Sequence, residues 1–265
     1  MITMNQGGWV SRFHQGKDMA FELESTLSQL TSMFYDTTGN LFDYQGCKDS
    51  DTYGSLQILT RSLSEFDPGQ LRSMEARKAF WLNLYNTLVL HLVMAEDVVR
   101  SIRDRKDFFT GFHYQLKDHA YSLDEIEHGI LRANSPGYGR LTRPFKRSHP
   151  AYPQTLSGLD PRIHMALFCA CPSSARLRIY DPQTVHDQLN EECRHFLHQH
   201  VHADDSGLKL PMLFHWYRKD FGDLGGMLDF LVRHHPDKEI VHFIKSVGKN
   251  LKFSWHEFDW TLNTR

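Results

Sequence analysis

Residues 75–95 read EARKAFWLNLYNTLVLHLVMA, and this stretch decides the fold. Trp81, Leu84, Tyr85, Leu88 and Leu92 form one stripe at helical spacing, and Leu82, Val89 and Val93 form a second beside it. A helix apolar around most of its circumference has to sit inside the molecule. Asn83 and Asn86, three apart, share its remaining face. A buried amide without a partner costs about 1 to 3 kcal/mol, so each must find one. They can bond a neighbouring backbone, position a catalytic loop, or do both.

The chemistry-bearing stretch lies downstream at Leu159–Tyr180, LDPRIHMALFCACPSSARLRIY. Asp160-Pro161 predicts a turn, because the residue before proline is pushed out of the helical region. Ile163, Met165, Leu167 and Cys169 alternate with His164, Ala166 and Phe168, which predicts a buried strand. The strand would deliver the chain into a small-residue turn, Ala170 to Ala175, with Leu177 to Tyr180 leaving as a second extended segment. A thiol on an apolar strand face is ordinarily buried and inert, which bears on Cys169 more than on Cys171.

Around these two segments the pattern is mostly helical. Helices are expected over Asp18–Tyr35, covering the sheet, and over Tyr53–Leu63, Thr184–His198, a run from Pro211 to Gly222, Met227–His234 and Asp237–Val247. Cys193 falls on the core face of one of them. Phe108–Leu116 is β-like, Asp204–Gly207 predicts a turn, and the alternating tail LKFSWHEFDWTLN predicts a terminal strand. Ser122 and Glu125 stand as a capping box, so a helix is expected from Leu123 through Arg132. On it Asp124 lies one turn before His128, and Glu127 would point about 100° away. Such a carboxylate can orient an imidazole as a general base; the spacing alone fits a surface ion pair better. Residues 133–157 lack periodicity and predict a long loop of the kind that serves as a lid or binding loop.

The totals bound the rest. With 265 residues and 40% hydrophobic content, one large α+β domain is expected: helix-rich, around a small, mainly antiparallel sheet. Residues 1–70 would form a helical cover, 75–222 the core, and 223–265 the C-terminal helices and strand. A net charge of -2 gives no case for nucleic acid, and the basic runs at 100–106 and 140–147 read as solvated loops. The four cysteines, Cys47, Cys169, Cys171 and Cys193, show no disulfide or zinc-ribbon spacing. The N-terminal segment has no apolar leader core and no segment is long enough to span a membrane, so a cytoplasmic protein without a membrane partner is expected. The seventeen histidines, including His195, His198, His200, His202 and His234-His235, read as helix-surface residues, and neither a metal nor a cofactor is expected.

FWLNLYNTLVLH (80–91), YSLDEIEHGILR (121–132), DPRIHMALFCACPSSARLRIY (160–180), LPMLFHWYRKDFG (210–222) and FDWTLN (258–263) follow the order and spacing of one family. The chain resembles the domain of unknown function 547 family, widespread in bacteria and plants. The family pattern resembles H-F-A-L-N-C-x-x-x-S-C-P-x-L. Set without gaps on His164, Cys169 and Leu177, this chain has Phe168 in place of the usual Asn and Ser174 in place of the second Cys. A gapped alignment would put Cys171-Pro172 on the Cys-Pro pair. Serine needs its proton removed at the moment of attack and stronger oxyanion support than a thiolate. Ser174 is therefore a working nucleophile, a remnant, or a change made to trap a substrate.

The resemblance and the residues together point to a hydrolase or acyl transferase for an amide, peptide or thioester, with a small-molecule or peptide substrate. Ser174, Cys169 or Cys171 would attack, His164 or His128 would be the base, and Asp124, Glu127 or Asn83 would orient it. A papain-like or transglutaminase-like arrangement would accommodate this, by analogy of fold alone. The rival is a catalytically silent module holding a peptide or small anionic ligand, with Asn83, Asn86, Arg162 and Arg143 as binding residues; a third class, a metal-dependent hydrolase, would carry stoichiometric zinc and lose its function to a chelator. The sequence leaves the oligomeric state open.

Overall fold

The computed structural model describes residues 1–6, 18–204 and 207–265. In chain order the elements are β1 (Ile2–Thr3), α1 (Met19–Phe34), β2 (Tyr35–Asp36), β3 (Leu41–Phe42), α2 (Tyr44–Lys48), α3 (Asp51–Ser62), α4 (Met74–Ala95), β4 (Phe112–Leu116), β5 (His119–Ser122), a π-helix (Glu125–Leu131), α5 (Val185–His200), β6 (His202–Asp204), β7 (Gly207–Pro211), α6 (Met212–Trp216), α7 (Leu224–His234), α8 (Lys238–Val247) and β8 (Phe253–His256). The turn expected at Asp204–Gly207 depends on residues 205 and 206, outside the described residues, as does part of the N-terminal segment.

α4 is the axis. Its residues from Lys78 to Met94 are all buried, as the double apolar stripe requires. α1 packs on α3 and α4 rather than covering a sheet, because the described residues form no large sheet to cover. The α+β character resides in three small sheets among the described residues. β1 pairs parallel to β4 and β4 antiparallel to β5; β2 and β3 form an antiparallel pair; β6 and β7 are antiparallel, with β8 parallel to β7. The main core gathers α1 to α4, β4, β5 and the π-helix; a second gathers Phe196, Leu197, Leu210, Phe214, Leu231 and neighbours from α5 to α8.

The strand expected over Ile163–Cys169 is not a strand. Pro161–Met165 is a 3-10 turn, N-capped by Asp160, and 167–169 and 175–180, on either side of a turn at 170–174, belong to no ladder. The alternation is genuine burial on both sides, but the backbone finds its partners in side chains. Asn83 Nδ2 donates to the Tyr180 carbonyl at 2.7 Å and Asn83 Oδ1 accepts from the Tyr180 N–H at 2.8 Å. Asn86 Oδ1 accepts from the Phe168 N–H at 3.0 Å, and its Nδ2 donates to the carbonyls of Ala166 and Arg178. Two fully buried amides on α4 thus replace a neighbouring strand. Replacing Asn86 with Ala should cost about 1 to 3 kcal/mol, since it strands buried backbone groups; urea denaturation of the variant measures it, and a change below about 0.5 kcal/mol would mean water reaches this backbone.

Candidate active site

The turn after the Asn-held segment carries the cysteines. Ala170 adopts a left-handed conformation (φ 54°), which costs a non-glycine residue of order 1 kcal/mol and persists only where surroundings enforce it. They do so here. Ser174 Oγ accepts from the Cys169 N–H at 3.1 Å and lies within donating distance of the carbonyls of Cys171 (2.9 Å) and Ala175 (3.1 Å). The C-terminal tail clamps the outside: the Asn263 N–H donates to the Ala170 carbonyl, and the Asp259 N–H donates to Ser173 Oγ. Cys47, Cys171 and Cys193 are buried, whereas Cys169 is partly exposed. Its Sγ lies 3.8 Å from the Tyr85 hydroxyl on α4. Burial, Cys171 and the Glu127 carboxylate push the Cys169 thiol well above its ordinary range, so it rests protonated.

The opposite wall comes from the π-helix and the 217–221 turn. The reciprocal capping box forms as expected, Ser122 N–H to Glu125 Oε2 and Glu125 N–H to Ser122 Oγ. The helix that follows is wound wider than an α-helix, with the Arg132 N–H on the Glu127 carbonyl. Such windings recur at functional sites. Glu127, expected to point away from its sequence neighbour, reaches it: its Oε1 stands 3.5 Å from His128 Nδ1. Burial would raise the Glu127 carboxyl, but His128, the Tyr217 hydroxyl, His164 and Arg132 together hold it below the ordinary value. His128 Nε2 is 3.7 Å from Asp124, which also receives Arg140.

Asp220 ties this wall together. It takes two hydrogen bonds from Arg132, at 2.6 and 2.9 Å, and one from His164 Nε2 at 2.8 Å. The imidazole of His164 stacks on Tyr217, ring centroids 4.1 Å apart, and the Arg132 guanidinium lies over the same ring. Burial lowers the His164 pKa, outweighing Asp220 and Glu127, so the ring is neutral near pH 7. With Nε2 committed to Asp220, Nδ1 is the nitrogen left to accept a proton. His128 is placed differently, because its Nδ1 already accepts from Arg132 Nη1 at 3.0 Å.

Between the walls lies a cavity of about 390 Å³. Cys169, His164, His128, Glu127 and Ser174 line it, with Trp216, Tyr217, Phe258 and Trp260 as aromatic sides and Lys106 and Arg140 as cations. A family model described as "Protein of unknown function, DUF547" matches residues 69–197. That span, just under half of the chain, is similar to the DUF547 family. No curated protein and no solved structure matches the chain.

The matched DUF547 span holds α4, the π-helix and the Cys169 turn, but the cavity is completed from outside it by Trp216, Tyr217, Phe258 and Trp260, and Asp220, also outside it, holds His164 from behind. Of the residues expected at the site, Cys171 is buried behind the turn, and Asn83 and Asn86 hold backbone without reaching the cavity. Arg162 is engaged by Asp160 and Asn190, and Arg143 is exposed; neither lines the cavity. Neither imidazole is hydrogen-bonded to Cys169 or Ser174. Sequence reasoning missed Asp220 and Tyr217, although the block LPMLFHWYRKDFG contains both; nothing in their spacing shows that they meet His164 from 56 and 53 positions away.

Proposed function

We propose that the protein is a thiol-dependent hydrolase or acyl transferase acting on an amide, peptide or thioester, with Cys169 as nucleophile, His164 as general base and Asp220 orienting the base. The observation that carries this is the His164–Asp220 bond, which commits Nε2 and leaves Nδ1 as the accepting nitrogen of a neutral imidazole, on a residue that lines the same cavity as the one partly exposed thiol. His164 takes the thiol proton as sulfur attacks the acyl carbon, and it returns that proton to the departing amine or thiol; water or a second acceptor then releases the acyl group. Such contacts tighten when substrate is seated. Ser174 braces the turn in this reading and does not attack. The raised thiol demands a base rather than a resting thiolate. Four free cysteines fit a cytoplasmic setting.

A second reading, a silent module holding a peptide or small anionic ligand near Lys106 and Arg140, is favoured by the lack of a hydrogen bond between Cys169 and either imidazole. Iodoacetamide and fluorophosphonate labelling with intact-mass readout separates the two. A single alkylation is expected, absent in Cys169→Ala, slowed at least tenfold (about 1.4 kcal/mol) in His164→Ala, retained in His128→Ala, and faster as pH rises. No native labelling would favour the module. A fluorophosphonate adduct on Ser174 would move the nucleophile there.

A further inference from the structure

Outside the cavity, a second cluster joins three elements. His119 on β5, Glu125 at the start of the π-helix and His149 in the 133–157 loop each present a ligand atom, all within 4.8 Å of one another. We propose that they bind a divalent transition ion, zinc by preference, which fastens the loop to the β4–β5 hairpin.

Two imidazoles and one carboxylate are a donor set that suits zinc. His119 Nε2 and Glu125 Oε1 are 3.3 Å apart, close to the roughly 3.4 Å between two ligands on a tetrahedral ion with bonds of about 2.1 Å. The Glu125 carboxylate divides its work. Oε2 accepts from the Ser122 N–H in the capping box, and Oε1 faces His119. A capping glutamate needs no imidazoles around it, yet this one has three. His113 on β4 is the second observation: it is 7% exposed, its Nδ1 is buried with no hydrogen-bond partner, and its Nε2 stands 3.9 Å from Glu125 Oε2. A buried imidazole so placed beside a ligating carboxylate is an outer support of the site. The His149 ring is already oriented, stacked on Phe145 at 4.7 Å with the planes 17° apart. An ion would replace the 3.3 Å His119–Glu125 contact, and ligation through His149 Nδ1 would also give up its 3.2 Å bond from the Ala151 N–H.

The consequence reaches the cavity indirectly. The loop that His149 belongs to supplies Tyr138 and Arg140 to the cavity wall, and Phe145 packs on Gly129 of the π-helix so closely that a Cβ there would lie 2.2 Å from its ring. The ion would hold that loop down without touching the thiol, since His119, Glu125 and His149 do not line the cavity.

The test uses the untagged full chain, stripped with EDTA and dialysed, then given zinc sulfate. About one equivalent of zinc is expected to remain after gel filtration, with a rise in Tm. His119→Ala and His149→Ala should each lose the bound zinc and the Tm rise. Glu125→Gln should weaken binding while preserving the capping box, which glutamine also serves; its circular dichroism should match the parent. Cobalt in place of zinc should show d–d bands without the thiolate charge-transfer band that a cysteine ligand would give. Failure to retain zinc, or retention undiminished in His119→Ala and His149→Ala, overturns the proposal, the latter by locating the metal among the histidines of α5 and α7. Cys169 labelling is read separately, so the two proposals fail independently.

Discussion

Asp220→Ala is expected to cost about 3 to 5 kcal/mol, the largest loss of any single substitution at the site. Asp220 and Arg132 side chains are each 4% exposed, so removing the carboxylate takes away the guanidinium's hydrogen-bonded counter-ion in a dry environment and leaves it the Pro136 carbonyl, His128 and the Tyr217 ring as contacts, with Glu127 as the remaining nearby negative charge. Burial would raise the Asp220 carboxyl, but His164 and Arg132 hold it below the ordinary value, so the charge is present near neutral pH and its loss is felt in full. The same change frees His164 Nε2 and removes the group that fixes the ring, so probe labelling of Cys169 should fall even in the fraction that remains folded. Urea denaturation gives the stability term. The pair Arg132→Met with Asp220→Leu should be less damaging than Asp220→Ala alone, because apolar replacement of both partners removes the unpaired charge. A loss below about 1 kcal/mol for Asp220→Ala would put the pair in the class of solvated ion pairs and take away the reason for assigning His164 as the oriented base.

The sequence shows which side chains avoid water more plainly than which partners their backbones choose. α4 was legible from its two stripes, and the capping box at Ser122 and Glu125 marked the start of a helix correctly. The pitch of that helix was not legible: a π winding depends on how Glu127 and His128 meet Tyr217 and Arg132, contacts more than 80 positions away for Tyr217. The alternation from Ile163 to Cys169 reported burial on two sides, which a strand and an amide-held extended segment share. Cys169 and His164 could be named as candidates because they stand in one short stretch. Asp220 could not, since an aspartate in RKDFG has the look of a surface residue until the fold brings His164 and Arg132 onto it.

Acidification should destabilise the protein between about pH 6.5 and pH 4. Burial lowers His91, His200 and His234 to about 4 each, whereas unfolded histidine titrates near 6.5. The unfolded chain therefore binds more protons in that window, and stability falls as pH falls through it. His91 is the best placed to show the effect, being 4% exposed and hydrogen-bonded through Nδ1 to the Tyr114 hydroxyl. A drop of about 2.5 pH units in its pKa corresponds to about 3 kcal/mol lost by pH 4. Glu24 opposes this. Burial, with Asp181 and Asp18 nearby, raises it to about 7, so the folded chain takes up a proton there on acidification, but Glu24 is partly exposed and its effect is correspondingly screened. Asp160 acts lower still: despite burial, Arg162 and Lys78 hold it well below the carboxylate range, so its contribution is lost only below about pH 4. Urea midpoints at pH 7.5, 6, 5 and 4.5 should therefore decline steadily, and His91→Phe, whatever it costs at pH 7.5, should flatten the slope. A midpoint that holds from pH 7.5 to 4.5 in the parent would mean that these imidazoles reach water in the folded state.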